Sequence, residues 1–350
     1  MKNKALRLLL SFILILVVSC NEPETVVTNY VHADGSITRK IEMKSIENKF
    51  EKSDLQVPID STWTIRDSCE ILDGKDTVWV RRAEKLFMNV NDINLAYAED
   101  SGANKAIKRN ALFERKFRWF NTEYRFSELI DKKMEEGYPL RDFLNTDELL
   151  FFYSPENLKE SMKDGTDSLK FRTLNDSVDI KIENWSTRNL VAGWISEFSS
   201  LIKDEDGIEP ALKTLKSREE ELANIVISED DKIDSLWSNG IILRDFMGAT
   251  EYEKFKPEAD SALELVSEQY WVNFKDYSVR IIMPGKLTGT NGFIDSSGTL
   301  LWPVKSDFFL TEQYEMWAVS KTPNSWAWIV SGLFLLFVLT GMIIRLMKKG

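Results

Sequence analysis

The run over residues 327–344 constrains this chain more than any other stretch. It is apolar apart from Ser331, Thr340 and two glycines, and it carries no charge. About 20 apolar residues in helical form cross the hydrocarbon of a bilayer. Trp326 and Trp328 stand at its start, where an aromatic belt belongs, and Arg345, Lys348 and Lys349 follow its end. The expectation is a transmembrane helix and short tail over 326–347, with the basic end cytoplasmic by the positive-inside rule. The residues before it then fold in water on the other side.

The first residues agree with that topology. Lys2, Lys4 and Arg7 precede an apolar run over 8–18, and Val17-Val18-Ser19-Cys20 closes it. A basic start, a short apolar core and small residues at a cut site make an export signal. The tetrad resembles the lipobox of bacterial lipoproteins, which implies cleavage before Cys20 and acylation of its sulfur with palmitate-type chains. The expected layout is a lipoprotein signal peptide over 1–19 and a tether over 20–25. Two or three acyl chains give stable anchoring where one does not. The expected location is the bacterial cell envelope, at the inner membrane in a Gram-negative cell, with the body of the chain extracytoplasmic.

Charge excludes one class of partner. The chain carries −11; the three cations before Cys20 and the three after Asn324 leave −17 on the part between. Such a body is repelled by nucleic acid and by anionic surfaces. The basic run Arg115-Lys116-Phe117-Arg118 reads as a solvated face of a strand. With Cys20 acylated, Cys69 keeps the one free thiol, so no intrachain disulfide is expected. Cys69 reads as a small strand residue, far in sequence from His32, the single imidazole.

Hydrophobic periodicity divides the exported part into three. Residues 26–126 read as β-rich. A hairpin pairs 26–32 with 36–43 around Asp34-Gly35, and a second pairs 63–72 with 77–87 around Asp73-Gly74-Lys75-Asp76. The run over 111–126 reads as a long bent strand or as a strand pair around Asn121-Thr122. Residues 127–275 read as a helical insertion, with segments over 147–152, 155–162, from Asn175 through Phe198, from Pro210, over 231–247 and over 257–274. Residues 276–320 read as closing strands over 277–283, 299–304 and 313–320, with Pro303 marking an edge. The predicted fold is α+β: an antiparallel sheet from N- and C-terminal strands, a large helical insertion, and the C-terminal membrane helix. Five residues, 321–325, tether the last strand to the tryptophan belt and reach at most about 17 Å. That tether holds the sheet end bearing Trp317 near the headgroups, and the tether from Cys20 is expected to reach the same edge.

A late pattern adds a resemblance. Ile282-Met283-Pro284-Gly285-Lys286, Thr290-Asn291-Gly292 and Gly298-Thr299-Leu300-Leu301-Trp302, followed closely by the membrane helix, resemble the end of the LppM-like lipoprotein domain family. The early hairpin at Asp34-Gly35 fits the same pattern. The resemblance implies an envelope lipoprotein and makes glycolipid binding an expectation. It brings no catalytic residues, and the long helical middle departs from it.

Motifs for chemistry are scarce. The sequence has no Walker loop, dinucleotide turn, HExxH, GxSxG or CxxC, and one histidine argues against imidazole catalysis and common zinc sites. No metal or other cofactor is called for. Asp204-Glu205-Asp206-Gly207 lacks the ligand spacing of a calcium loop and reads as a solvated turn. Glu219-Glu220-Glu221 and Glu229-Asp230-Asp231 read as exposed helix face and cap. Trp185, Trp194, Phe198, Trp237 and Trp271 are core by the usual reading; the functional alternative makes them the lining of an apolar ligand cavity. Two functions stand. One is a binding or scaffold module for a lipid-like ligand or a membrane-protein partner, with membrane lipid around its anchors. The other is a hydrolase of envelope material working through paired carboxylates.

Overall fold

The structure, a computed structural model, describes residues 24–46, 50, 57–72, 76–100, 105, 107–134, 137–163, 165, 167–203, 209–228, 240–270, 274–295 and 298–348. Cys20, Trp237, Trp271 and Lys349 lie outside them. So do the signal over 1–19, the turn at Asp73-Gly74-Lys75, and the acidic runs at Asp204–Gly207 and Glu229–Asp231.

The fold is α+β. Strands β1 (Glu24–Val31) and β2 (Ile37–Ser45) form the first hairpin, and β3 (Thr64–Leu72) and β4 (Asp76–Phe87) the second. Gly35 permits the first turn: its φ is +96°, and a Cβ there would stand 3.0 Å from the Phe113 ring. Asp34 secures it by accepting from the Ser36 amide at 3.0 Å and hydroxyl at 2.7 Å. Helix α1 (Val90–Ala98) follows, capped by Asn89, whose side chain accepts from the Asn91 and Asp92 amides. Next come β5 (Arg109–Phe117) and β6 (Asn121–Ile130), then five helices: α2 (Thr146–Tyr153), α3 (Glu156–Lys163), α4 (Ser168–Ile202), α5 (Glu209–Ser217) and α6 (Glu219–Ser228). Helices α7 (Ile241–Met247) and α8 (Ala249–Tyr270) complete that series. The chain then returns to strands: β7 (Tyr277–Ile282), β8 (Lys286–Thr290), β9 (Phe293–Ile294), β10 (Leu300–Val304) and β11 (Tyr314–Pro323). It ends in α9 (Ser325–Met347).

Early and late strands do join, but in two sheets where one was expected. A seven-stranded sheet runs β3-β4-β2-β1-β7-β10-β9, and a four-stranded sheet runs β5-β6-β11-β8. The long β6–β11 ladder, from Ile130↔Tyr314 to Asn121↔Pro323, is the centre of the second sheet. One pairing is parallel: β1 beside β7, with Val26 opposite Ser278 and Tyr30 opposite Ile282. The alternation on β2, β6 and β11 turns Ile37, Ile41, Met43, Phe126, Ile130, Met316 and Ala318 into one core between the sheets. Each large aliphatic or aromatic side chain buried there contributes about 1.5–3 kcal/mol. The ladder of β9 on β10 covers only Leu300 and Leu301, so Pro303 lies beyond it.

The helical region has its own packing. Helices α4 to α8 share a cluster around Trp194, Phe198, Leu222, Phe246 and Phe255. A third cluster around Trp185, Phe151, Leu140 and Leu310 joins it to the strands. The chain leaves for the helices after Ile130 and returns at Tyr277, which lie at the end of the sheets away from α9. The helices therefore stand at the far end of the body.

Candidate functional site

The best-defined site is the junction of the four-stranded sheet with α9. Strand β11 continues to Pro323, so Asn324 alone separates strand from helix, in place of the five-residue tether expected. Asn324 fills a socket made by the β5–β6 turn. Its amide donates to the Phe120 carbonyl at 3.0 Å. Its side chain donates to the carbonyls of Arg118 at 2.7 Å and Trp119 at 3.3 Å, and accepts from the Thr122 hydroxyl at 2.9 Å. Aromatic rings continue the contact. Phe117 stacks on Trp326 at 6.2 Å, Trp119 meets Trp326 edge-on at 5.2 Å, and Phe120 meets Trp328 at 4.4 Å. Trp328 donates to the Phe120 carbonyl at 3.2 Å, and Trp119 to the Ser331 hydroxyl at 2.9 Å. Helix α9 is long and apolar enough to cross a membrane, and almost all of it is exposed. Of the expected anchor residues, Trp326 and Trp328 are central here, while Arg345 and Lys348 lie in the last turn and at the C-cap of α9. The sequence marked the two tryptophans; it gave no sign that Phe117, Trp119 and Phe120 would meet them.

The parallel β1–β7 pair overturns the expectation that both attachments fall on one edge. Strand β7 runs toward the junction, because Lys286, four residues after its end, pairs with Lys321, four residues before α9. Strand β1 runs the same way, so it begins at the far end of the sheet. Its stretch from Glu24 to Tyr30 spans about 20 Å, whereas the four residues from Cys20 to Glu24 reach at most about 14 Å. Trp317 likewise lies six residues up β11 from Pro323, away from the junction.

A second cluster lies between the sheets. Arg39 on β2, 1% exposed, donates to Glu128 on β6 at 2.9 Å, to Asn29 on β1 at 2.7 Å, and to the Tyr97 hydroxyl on α1 at 2.6 Å. Asn29 donates to the other Glu128 oxygen at 3.2 Å, and Tyr97 donates to Glu128 as well. Burial opposes the charge on Arg39, but Glu128 and Tyr97 outweigh it and hold the guanidinium above its ordinary value. Burial pushes the Tyr97 phenol up. With all its groups engaged, the cluster pins the sheets together rather than presenting free carboxylates to a substrate.

A third polar group is Glu148 in the first turn of α2. It closes a capping box with Asn145 and accepts from Ser177 and from Lys181, both oxygens at 2.7 Å from the ammonium. Those bonds hold its carboxyl down at about 2, Lys181 and Ser177 being the chief causes.

The aromatic residues considered as a cavity lining are placed in two different cores. Trp185 belongs to the cluster around Phe151 and donates to the Tyr138 carbonyl at 2.8 Å. Trp194 and Phe198 stack at 5.3 Å in the other cluster, where Trp194 donates to the Ala259 carbonyl at 3.1 Å. Both indoles and the Phe198 ring are fully buried. Cys69 is exposed on β3, opposite Trp79. Among the described residues no three His, Cys, Asp or Glu side chains are grouped to hold a metal ion.

No known family model matches the chain, and no curated protein matches it. Among solved structures, the NMR structure of the folded domain of Mycobacterium tuberculosis LppM aligns with 87% of this chain and 91% of that one, at 8% identity and a TM-score of 0.26. A likeness at that level carries no argument about what either protein does.

Proposed function

We propose that this chain is a membrane-held envelope module that presents its exported body, in a fixed orientation beside the bilayer, to a lipid-like ligand or a membrane-protein partner. The observation that carries this reading is the junction. A domain hung on a flexible linker samples many orientations. Here a strand runs into the membrane helix through one residue, and that residue is held by four hydrogen bonds to a neighbouring turn. Such a connection is suited to holding a surface at a set height and angle. In this reading α9 crosses the membrane, its basic end is cytoplasmic, and Cys20 is acylated. The hydrolase alternative asks for two facing carboxylates in an open cleft; Glu128 and Glu148, the buried carboxylates named above, are instead engaged by Arg39 and Lys181.

The test is native mass spectrometry of the full chain, purified from membranes in mild detergent. A lipid or membrane protein retained in fixed stoichiometry is the expected result. A chain that emerges bare, while converting envelope glycans or lipids in the same preparation, overturns the binding reading.

A further inference from the structure

The turn joining β5 to β6 has features that packing of the body leaves unexplained. Phe117, Trp119 and Phe120 are 57%, 48% and 40% exposed. Three large apolar side chains on one tight turn make a patch that calls for cover. Trp119 also has a partner at an unusual place. Ser331 lies six residues beyond Ser325, about 9 Å along the helix axis, and three beyond Trp328, about 4.5 Å. If Trp326 and Trp328 mark the headgroup level, the Trp119 indole reaches below it.

The backbone of the turn is prepared for that position. Irregular backbone enters the apolar layer only when its polar groups are paired. The carbonyls of Arg118, Trp119 and Phe120 all accept hydrogen bonds, from the Asn324 side chain, the Asn324 amide and the Trp328 indole. The Arg118 amide donates to the Asn121 carbonyl at 2.8 Å. The Trp119 indole N–H is satisfied by Ser331, one of the few polar side chains along α9.

Charge completes the pattern. The body is acidic, yet the rim beside this turn is basic. Arg115 and Arg118 have no carboxylate partner among the described residues, Lys116 pairs with Glu114 at 2.9 Å, and Lys286 on β8 stands opposite Lys321 on β11, which pairs with Glu123 at 3.3 Å. Aromatic rings at headgroup depth with arginine and lysine just above them are what an anionic leaflet accepts.

We propose that the β5–β6 turn is a second membrane-contact element, inserting Phe117, Trp119 and Phe120 among the headgroups beside α9 and placing Arg115, Lys116 and Arg118 on anionic lipid phosphates. This rests on the reading that α9 crosses the bilayer. The turn then acts as a prop: helix and hairpin tip together fix the body at two points, so it neither rolls about the helix nor lies down.

The test uses the full chain with Cys20→Ala and Cys69→Ser, carrying single cysteines labelled with an environment-sensitive dye. Trp119→Cys and Arg118→Cys report the turn, the second leaving Trp119 in place, and Leu335→Cys reports the helix. The proteins are reconstituted in vesicles of phosphatidylcholine with or without phosphatidylglycerol, and quenched by shallow spin-labelled lipid or by aqueous iodide. The expected result is loss of fluorescence to the spin label at both turn positions, protection from iodide, and stronger quenching with phosphatidylglycerol that Arg115→Glu plus Arg118→Glu abolishes in the Trp119→Cys protein. A quenched helix label with turn labels open to iodide overturns the prop while leaving the anchor intact. Quenching indifferent to phosphatidylglycerol overturns the role given to the basic rim. A helix label reached by iodide overturns the anchor and the prop together.

Discussion

Replacing Glu128 by Gln strikes the buried cluster at its centre. Arg39 is 1% exposed and the Glu128 side chain 5%, so neither is rehydrated when the other changes. The substitution leaves a guanidinium buried without a counter-charge and turns two carboxylate acceptors into one amide oxygen. Asn29, Arg39 and Tyr97 all donate to that carboxylate, so at least one donor loses its acceptor. An orphaned buried donor costs about 1–3 kcal/mol, and breaking a buried ion pair by removing one partner costs about 3–5 kcal/mol. The expected loss is therefore about 3–5 kcal/mol, a large share of the roughly 5–15 kcal/mol that holds a domain together. The assay is urea unfolding of the full chain in detergent, followed by tryptophan fluorescence. A double-mutant cycle with Arg39→Met should give a coupling of about 2 kcal/mol or more, in the range seen for residues in one network. A Glu128→Gln chain within about 0.5 kcal/mol of the parent would refute the reasoning, because it would mean that water reaches the cluster.

Other outcomes follow from the same geometry. Glu148→Gln keeps an acceptor for the Asn145 amide but gives up the charge-assisted bonds, worth about 1.5–3 kcal/mol, and should cost about that much; thermal unfolding measures it. The Glu148 carboxyl sits at about 2 in the fold against about 4.3 unfolded, so its stabilising share is full above pH about 4.3 and is lost as pH falls toward 2. Circular dichroism melts from pH 6 to pH 2.5 should show a slope that Glu148→Gln reduces. Gly35→Ala forces a side chain into φ +96° and against Phe113, and should destabilise by about 1–2 kcal/mol; an unchanged melting point would contradict it. Cys20→Ala should abolish palmitate labelling. Because the tether is too short to reach the bilayer beside α9 with β1 fully paired, it should also slow amide exchange over residues 24–27; palmitate entering the variant, or identical exchange, contradicts this.

Much of the fold was legible because it was written in local signals. Asp34-Gly35 marks its hairpin, the aromatic alternation marks β6 and β11, and the segment read over 147–152 falls one residue inside each end of α2. What was missed depends on distant partners. Helix α1 is short and buries only Ile93 fully. Strand β8 has a weak pattern and is held by its pairing with β11. Pro257 suggested a helix start, yet lies inside α8, which begins at Ala249. Strand β6 runs to Ile130, past the expected boundary at Phe126, because Ser127 and Glu128 are buried polar residues and interrupt the apolar count. Glu128 is inside because Arg39, 89 residues away, is there to meet it. The split into two sheets and the parallel β1–β7 pair are matters of topology that no periodicity encodes. The junction was half legible: Trp326 and Trp328 marked the start of the apolar helix, while the basic-aromatic run at 115–118 read as a solvated strand face because α9 is its neighbour only in space.

The central claim is that the body stands on its hairpin edge with the start of β1 and the helices directed away from the bilayer. Cys69 provides a native handle, since it is exposed and stands opposite Trp79, which in turn stands opposite Ser45 at the far end of β2. Ser45 is eight residues from Ile37, about 26 Å along the strand. The decisive measurement is energy transfer from a dye on Cys69 of the full chain, with Cys20→Ala, to acceptor lipid in vesicles. The account predicts a height above the headgroups of more than about 25 Å from that strand length; a height near 10 Å, within roughly one sheet spacing of the surface, would show that the body lies down and would contradict it.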